Sequence, residues 1–421
     1  MTPERGPGFF HHMALPSPSS PAVDTDWRTR AGAVIPGGAS TGSKRPDALV
    51  GPDWDGSPTH FVRATGCRVV TTGGAELVDC TMALGSVALG YAHEGVTRAV
   101  TEAIAHGNVA GLSHVLEVEV AERLCQVIPC AEQVRFLKSG AEGVAAAVRI
   151  ARASTGRSLV IGAGYFGWLD WWSHAAGVPA GAHEDFRAVP FDDVEALAQA
   201  ARAAGDRLAA ILIEPVIERL PSPEWLAEAR RQCDALGAVL ILDEMKTGFR
   251  LRTGGFQEYA GVDTDLAVFG KALANGFPLS AVVGRERVMR AARSTWISST
   301  LAGESAALAA ARAVLDAHAA SDVCATLWER GDAMRRAVER AIEASGVAGV
   351  HVRGIAPMWL LDLGDDRRLS RFVELALGER VLFKRGAYNF ASLAHDATAI
   401  ARMEAAARHA LTALGREASR A

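Results

Sequence analysis

The stretch between Leu208 and Met245 decides the fold. Residues 208–216 read LAAILIEPV, residues 223–236 read PEWLAEARRQCDAL, and residues 238–245 read AVLILDEM. The first and last segments are short and almost continuously apolar, which is typical of strands buried on both faces of a sheet. The middle segment has the length and spacing of a helix. Together the three segments predict a strand–helix–strand unit within a parallel sheet.

The same alternation extends in both directions along the chain. Strands are predicted at 134–138, 158–161, 266–269 and 281–284, and helices at 141–154, 194–204 and 304–319. Helices at 93–106 and 117–127 and a hairpin-like stretch at 67–79 come before them. We therefore predict an α/β fold, with a large domain built on a mostly parallel sheet and a smaller α+β domain.

The chain is predicted to have four parts. Residues 1–24 are rich in Pro, Ser and Gly, and we predict a flexible tail there. Residues 25–80 are expected to join the small domain, and residues 81–315 to form the large domain. Residues 316–421 are expected to complete the small domain.

The overall composition excludes several classes of protein. The chain has 421 residues, of which 49% are hydrophobic and 22% charged, and its net charge of −4 gives no basic surplus for nucleic acid or anionic lipid. Apolar runs such as residues 208–213 are far too short to span a membrane. The six cysteines are scattered without CxxC pairs or partner histidines, so we predict reduced thiols in a cytoplasmic protein and no metal site.

The chemically useful side chains lie at the ends of predicted strands. Ser139 opens a strand–SG–helix junction, Glu214 and Asp243 end two strands, and Lys271 follows another. Ligands of open parallel sheets bind beyond these ends. The junction offers backbone N–H groups to a phosphate, the carboxylates offer a partner for a cation, and the lysine offers an amine nucleophile. Pyridoxal 5′-phosphate requires this set, although each residue taken alone is also an ordinary surface or turn residue.

A second pattern favours another class of enzyme. Residues 162–167 read GAGYFG, a literal GxGxxG after a predicted strand, with Glu184 and Asp185 about 20 residues further on. This pattern is the fingerprint of dinucleotide-binding oxidoreductases when a helix follows directly. Here only a short aromatic segment, residues 168–174, precedes Gly177. Dinucleotide binding at Gly162–Gly167 is therefore kept as the alternative from a different class.

An ordered set of motifs covers the chain from about residue 33 to 410. The segments are 35–38 (IPGG), 66–96 with GYAH at 90–93, 139–143 (SGAEG), 165–167 (YFG), 214–216 (EPV), 243–250 (DEMKTGFR), 270–278 (GKALANGFP) and 299–300 (ST). In order and spacing this set resembles the class III, fold-type I, pyridoxal-phosphate-dependent aminotransferases. The pattern is most similar to the glutamate-1-semialdehyde 2,1-aminomutase-like subgroup.

The resemblance implies two catalytic residues. Lys271 is implied to form the internal aldimine with the cofactor and, once its amine is freed, to move the proton between substrate and cofactor. Asp243 is implied to pair with the pyridine nitrogen and keep it protonated.

The resemblance also implies a set of binding residues. Those assigned to the cofactor are Ser139, Gly140 and Ala141 at the phosphate, Tyr165, Phe166 and Met245 around the ring, and Glu214, Lys246 and Thr300. Thr300 is implied to reach the phosphate bound by the neighbouring subunit, which predicts a homodimer with shared active sites. Arg250 has two interpretations, structural or substrate-binding.

Several positions depart from the family pattern. Ala141 replaces a Thr, Phe166 replaces a His, and Glu304 stands where the aminomutases have Asn. Lys246 stands where Gln or Met is usual. Its ammonium either lies near the phenolic oxygen of the cofactor or turns to solvent.

The function implied is transfer of an amino group between an amine or amino acid and a carbonyl compound. An aminomutase or an epimerase that uses the same cofactor is the alternative within this chemistry. Lys44 and Arg45 follow the Pro-Gly-Gly turn where the aminomutases carry a carboxylate-binding Arg. They are predicted to bind an acidic group of the substrate, the alternative being a solvated basic loop.

Overall fold

The computed structural model describes residues 21–52 and 58–418. Its strands are β1 (Phe61–Thr65), β2 (Arg68–Thr71), β3 (Glu76–Asp79), β4 (Gln133–Leu137), β5 (Leu159–Ala163), β6 (Phe186–Ala188), β7 (Leu208–Ile213), β8 (Val239–Asp243), β9 (Leu266–Phe269), β10 (Ser280–Gly284), β11 (His351–Ile355), β12 (Met358–Asp362), β13 (Val381–Leu382) and β14 (Asn389–Phe390). Its α-helices are α1 (Pro21–Val34), α2 (Pro46–Leu49), α3 (Met82–Gly85), α4 (Glu94–Ala105), α5 (Val115–Val127), α6 (Gly140–Thr155), α7 (Val194–Ala204), α8 (Pro223–Leu236), α9 (Phe256–Ala260), α10 (Glu286–Met289), α11 (Ser305–Ala320), α12 (Val323–Ser345), α13 (Asp366–Gly378) and α14 (Ala397–Ala418).

The central sheet has seven strands in the order β4-β10-β9-β8-β7-β5-β6. The pairs from β9 through β8, β7 and β5 to β6 are parallel, whereas β10 runs antiparallel to both of its neighbours. The predicted α/β fold with a mostly parallel sheet is confirmed. Strand β6 was not predicted from the sequence, because its three residues carry no apolar run.

Both faces of the central sheet are buried. On β7 and β8, Ile211, Ile213, Leu240 and Leu242 belong to one apolar core, and the alternate residues Ala210, Leu212, Val239 and Ile241 belong to a second core. Successive side chains of a strand point to opposite faces. The unbroken apolar runs of the sequence therefore correspond to a sheet covered on both sides.

The helix between β7 and β8 has clear local signals at both ends. The Ser222 hydroxyl accepts the Trp225 N–H and caps α8, with Pro223 at its first position. Gly237 follows the last turn with φ of 63°, a left-handed conformation that glycine adopts at little cost. After α8 the chain returns as β8, which pairs in parallel with β7.

Two smaller sheets lie outside the central one. The first has the order β1-β2-β3-β13, and in it Val78 of β3 pairs in parallel with Val381 of β13. The second has the order β11-β12-β14. Residues 61–79 thus share a sheet with the C-terminal part of the chain. The predicted domain boundaries stay a prediction.

The predicted N-terminal tail is corrected at its end. Residues 1–20 lie outside the described part of the chain, but residues 21–24 begin α1. Asp24 is buried, and its carboxylate accepts the Gly73 N–H at 2.9 Å and the Thr72 hydroxyl. This carboxylate ties α1 to the turn between β2 and β3, which the composition of residues 1–24 did not indicate.

Among residues 21–52 and 58–418, none of the helices combines the length and the apolar character needed to cross a bilayer.

Candidate active site

The predicted site residues gather at the carboxyl ends of the central strands. Asp243 is the last residue of β8, Glu214 follows β7 directly, and Gly270-Lys271 follows β9. These three strands are neighbours in the sheet. Ser139 comes from β4, two strands beyond β9, and its carbonyl accepts the Ser280 hydroxyl of β10 at 2.8 Å. This edge is where ligands of open parallel sheets bind.

The start of α6 has the form of an anion site. Ser139 caps the helix through a capping box with Glu142: its hydroxyl accepts the Glu142 N–H, and the Glu142 carboxylate accepts the Ser139 N–H at 2.8 Å. Gly140 and Ala141 follow as the first two helical residues, whose N–H groups have no acceptor within the helix. A helix of 16 residues adds a positive dipole end at this point. The turn can therefore hold a phosphate.

Close packing surrounds this turn. A β-carbon on Gly140 would lie 2.7 Å from Met245 Sδ, and one on Gly167 would lie 2.4 Å from Ala141 Cβ. Glycine is thus required at position 167, which also has a φ of 89°, whereas a side chain at position 140 would displace Met245. Met245 also fills the space beside Gly270, where a β-carbon would lie 2.2 Å from its methyl carbon. The Met245 side chain therefore links the α6 turn to the Lys271 segment.

Lys271 has an unusual backbone and a perturbed amine. Its φ of 48° is left-handed, a conformation that costs a non-glycine residue about 1–3 kcal/mol and is common at functional sites. Burial is the main cause that lowers the pKa of its amine from 10.5 to about 8; Asp243 raises the pKa and the charge of Lys246 lowers it, and both have smaller effects than burial. A larger share of this amine is uncharged near neutral pH than for an exposed lysine.

Asp243 is a buried carboxylate with few hydrogen bonds to stabilise its charge. Burial, and then the negative charge of Glu214, raise its pKa from 3.8 to about 7. Its carboxylate accepts the Met245 N–H at 3.1 Å and, within the described residues, no other hydrogen bond. A cationic N–H placed beside it would satisfy the carboxylate and favour its ionised form.

Lys246 turns into the protein, so the solvent alternative for this side chain is wrong. It is 16% exposed and forms an ion pair with Glu214, whose other oxygen accepts the Tyr165 N–H at 2.9 Å. Its Nζ lies 4.4 Å from the centre of the Tyr388 ring. An ion-paired ammonium is a poor nucleophile, which distinguishes Lys246 from Lys271. Whether Lys246 touches the cofactor stays a prediction.

The two aromatic residues of the YFG segment have different surroundings. Tyr165 is 65% exposed, so it offers an aromatic side chain that a planar ligand can cover. Phe166 instead lies in the core against Trp171, Trp172 and Phe186. The structure therefore gives Phe166 a packing role and does not bring its side chain to the site, which corrects its assignment to the cofactor.

The GxGxxG pattern does not form a dinucleotide site. Strand β5 includes Gly162, but residues 164–179 form loops and turns instead of the helix that the fingerprint needs. Its glycines serve close packing: a β-carbon on Gly164 would lie 2.4 Å from Glu214 Cβ. The oxidoreductase alternative has no structural support at Gly162–Gly167.

The sequence model of the family described as aminotransferase class-III matches residues 52–167 and 174–394. The chain belongs to the class III aminotransferases. Members of this family are pyridoxal-phosphate-dependent enzymes that act on an amino donor and a carbonyl acceptor. The implied fold, cofactor and enzyme class are therefore confirmed.

Relatives of this class III aminotransferase include aminomutases and transaminases. It is 30% identical to a glutamate-1-semialdehyde 2,1-aminomutase of Methanopyrus kandleri over 91% of this chain and 96% of the relative. It is 34% identical to the 2′-deamino-2′-hydroxyneamine transaminase of Streptomyces kanamyceticus over 82% of this chain and 89% of the relative. The solved FumI protein of Sphingopyxis sp. MTA144, in its PLP internal aldimine form, has a TM-score of 0.90 at 26% identity and covers 94% of this chain and 98% of its own.

The class III site fits pyridoxal phosphate at three independent points. Two N–H groups at a long helix start suit the phosphate. The buried, poorly compensated Asp243 carboxylate suits a protonated ring nitrogen. A partly buried lysine with a lowered pKa suits the aldehyde.

Some predicted residues are not brought to this site by any described contact. Lys44 is exposed at the end of the short turn Gly42–Lys44, and the exposed Arg45 follows it directly. Thr300 is exposed at the start of another turn. Their roles stay predictions.

Of the two interpretations of Arg250, structural or substrate-binding, its contacts support the structural one. It is fully buried, and its guanidinium donates to the carbonyl oxygens of Lys246, Gly85 and Ala391. It thereby joins the β8 loop to α3 and to the segment after β14. Tyr388 was missed as a site residue, because no motif in the sequence places it beside Lys246.

Proposed function

We propose that this class III enzyme transfers an amino group between an amine or amino acid and a carbonyl compound, with Lys271 as its reacting residue. The observation that carries the proposal is the pairing of Lys271 and Asp243 at neighbouring strand ends, each with a pKa moved toward neutrality by burial. Perturbed groups of opposite type at one strand edge are typical of catalytic sites.

Each side chain has a definite task in this proposal. Bound pyridoxal phosphate supplies an electron sink for the bond to the substrate carbon that bears the nitrogen. Lys271 accepts a proton from that carbon and returns it. Asp243 holds the ring nitrogen in its protonated form, and the N–H groups of Gly140 and Ala141 hold the phosphate. Met245 packs beside the ring and excludes water from one face.

A screen of amino donors tests the proposal. The purified protein is mixed with single donors in the absence of any carbonyl compound, and the visible absorbance of the cofactor is followed. A transaminase loses this absorbance stoichiometrically with a true donor and regains it when an acceptor is added. An absence of response to every amine and amino acid class would contradict the proposal.

The same screen separates transamination from the aminomutase alternative. An aminomutase returns the nitrogen to the same carbon skeleton and releases no separate carbonyl product. The relatives include both aminomutases and transaminases. Glu304 supports transamination here, because it is committed to an ion pair with Lys138 at 2.7 Å and to capping α11, whereas the aminomutases carry Asn at this position.

We further propose that the enzyme is a homodimer with shared sites. Val109, Leu112 and Val118 are 54%, 86% and 61% exposed and line one groove together with Thr300; we call it the apolar groove. Large exposed apolar side chains grouped in this way favour a protein interface. A second copy covering the groove would bring Thr300 close to the phosphate turn of its partner.

The dimer is expected to depend on the apolar groove. Val118→Asp should shift the protein from dimer to monomer in sedimentation and weaken cofactor retention, since it places a charge in a dry interface. Val194→Asp, on the exposed start of α7, is the matched control and should remain dimeric. A fully active monomer of the parent at assay concentration would contradict the shared site.

The cysteines support a cytoplasmic location. Five of the six are buried, and none of them is in a disulfide. Thiols in this state fit a reducing compartment.

Lys44 and Arg45 are proposed to bind a substrate carboxylate. Replacing the anchoring residue with Ala should raise KM for acidic donors by about ten- to a hundredfold, because one charged hydrogen bond is lost. Uncharged amines should be little affected. Arg98→Ala, a change at an exposed cation on α4, serves as the control. If both alanine variants treat acidic and neutral donors as the parent does, the loop has no part in recognition.

A further inference from the structure

A short loop, residues 296–304, leads into α11; we call it the bridging loop. Its start is anchored by two cationic side chains. Arg149 of α6 donates to the Trp296 carbonyl oxygen at 2.9 Å, and Arg135 of β4 donates to the Ile297 carbonyl oxygen. Strand β4 and helix α6 flank the turn that suits the phosphate, so this end of the loop has a fixed position relative to that turn.

The end of the bridging loop is held by an ion pair. Lys138 Nζ lies 2.7 Å from Glu304 Oε1, and the two side chains are only 17% and 8% exposed. Lys138 immediately precedes residues 139–141, which we call the phosphate turn. Glu304 also caps α11 by accepting the N–H groups of Ala306 and Ala307. A single ion pair therefore joins the start of α6 to the start of α11.

The position of Lys138 is unfavourable without Glu304. A cation beside a helix N-terminus is repelled by the helix dipole, whereas a carboxylate there is stabilised. Glu304 supplies the compensating charge from 166 positions further along the chain. Separating a buried ion pair leaves uncompensated charges, which is strongly destabilising. The pair therefore resists any movement of the bridging loop away from the phosphate turn.

The middle of the bridging loop is ordered by its own backbone. The Ala302 N–H donates to the Ser299 carbonyl at 3.1 Å. The Glu304 N–H donates to the Leu301 carbonyl at 3.2 Å. Thr300, between these turns, is exposed. A loop with two fixed ends and a preformed centre thus presents Thr300 outward.

We propose that Lys138 and Glu304 are positioning residues that act through Thr300: their ion pair sets the bridging loop where Thr300 reaches the phosphate bound by the partner subunit. This inference rests on the proposed homodimer with shared sites. Each phosphate turn holds the phosphate of its own subunit. The ion pair therefore makes that turn the fixed point from which the subunit offers Thr300 to its partner.

Release of pyridoxamine 5′-phosphate tests the inference, because this form of the cofactor has no covalent bond to a lysine. The holoenzyme is exchanged into this form, and release after dilution is followed by fluorescence. Thr300→Ala should raise the release rate about tenfold, since one hydrogen bond to a charged group is lost. Lys138→Met should raise it by a comparable factor. Glu304→Asn should do the same, although Asn retains the cap of α11.

The double variant Lys138→Met/Thr300→Ala shows how Lys138 acts. If Lys138 acts through Thr300, this variant should release the cofactor no faster than Thr300→Ala alone, because one contact can be lost only once. Additive effects would overturn the inference, since they would place the action of Lys138 on its own phosphate turn.

A second double variant, Lys138→Met/Glu304→Asn, separates position from buried charge. It leaves neither charge of the pair and keeps the helix cap, so release should stay fast. Release at the rate of the parent would overturn the inference. Arg340→Met is the matched control: it removes an ion pair of similar length, 2.6 Å to Glu404, between α12 and α14, and should release the cofactor as the parent does.

Sedimentation of each variant shows whether dimers are being compared. A folded but monomeric Lys138→Met would overturn the inference, because the ion pair would then hold the interface and not the loop. If Lys138→Met does not fold, Glu304→Asn takes its place in the comparison with Thr300→Ala. Unchanged release in Thr300→Ala would overturn the shared site and with it the inference. Fast release in Thr300→Ala beside unchanged release in Lys138→Met would overturn the inference alone.

Discussion

Replacing Lys271 with alanine is expected to lower turnover by a factor of about ten thousand or more, because one change removes both the covalent attachment and the proton carrier. Lys246 and Lys138 are the other amines at this edge of the sheet; they are ion-paired with Glu214 and Glu304, respectively, and cannot take over the task. The measurement is steady-state turnover with a donor found in the screen, made on protein whose folding is checked by its thermal transition.

Borohydride reduction, which fixes the cofactor covalently to its lysine, followed by peptide mapping gives the control for this variant. The chain has only five lysines, at positions 44, 138, 246, 271 and 384, so each falls in a distinguishable peptide. Borohydride treatment of the parent should mark the Lys271 peptide, and Lys271→Ala should show no mark. Lys384→Ala, a change at a buried lysine after β13, should keep both mark and turnover. Residual turnover of Lys271→Ala near that of the parent would exclude the role.

Asp243→Asn is expected to lower turnover by about a hundred- to a thousandfold without loss of the fold, since an amide cannot hold the ring nitrogen protonated. The amide is nearly isosteric and can still accept the Met245 N–H. Because burial raises the pKa of the native carboxyl to about 7, its ionised form is costly in the folded chain, so a neutral replacement should not weaken the fold. Turnover, KM and cofactor content should be measured together, and the loss should appear in turnover.

Asp243→Glu is the matched control, since it keeps the charge and alters only reach. It should lose less activity than Asp243→Asn. Equal activity of Asp243→Asn and the parent would exclude the pairing with the ring nitrogen.

The parts of the fold that the sequence predicts are those with local signals. The unbroken apolar runs of β7 and β8 are apparent because both faces of the sheet are covered. The helix α8 is apparent because Ser222 and Gly237 bound it. Strand β6 was missed because a three-residue edge strand needs only backbone pairing with β5.

The candidate site likewise contains residues that local sequence predicts and contacts that it does not predict. Ser139, Asp243 and Lys271 lie at or just after the ends of strands, so their position at one sheet edge follows from topology. The contact of Lys246 with Tyr388 joins residues far apart in sequence, and no spacing rule predicts it. Asp24 illustrates the same limit: a composition typical of a tail concealed a buried carboxylate that binds the β2–β3 turn.

The parallel pairing of Val78 with Val381 has a consequence for the synthesis of the protein on the ribosome. Strand β3 is synthesised about 300 residues before its partner β13. At common synthesis rates, β3 therefore remains without this partner for about 15–60 s. Throughout that time the nascent chain presents an unpaired strand edge, a surface that invites association with other chains. Production of this enzyme is therefore expected to depend more on slow, chaperoned synthesis than on the stability of the finished fold.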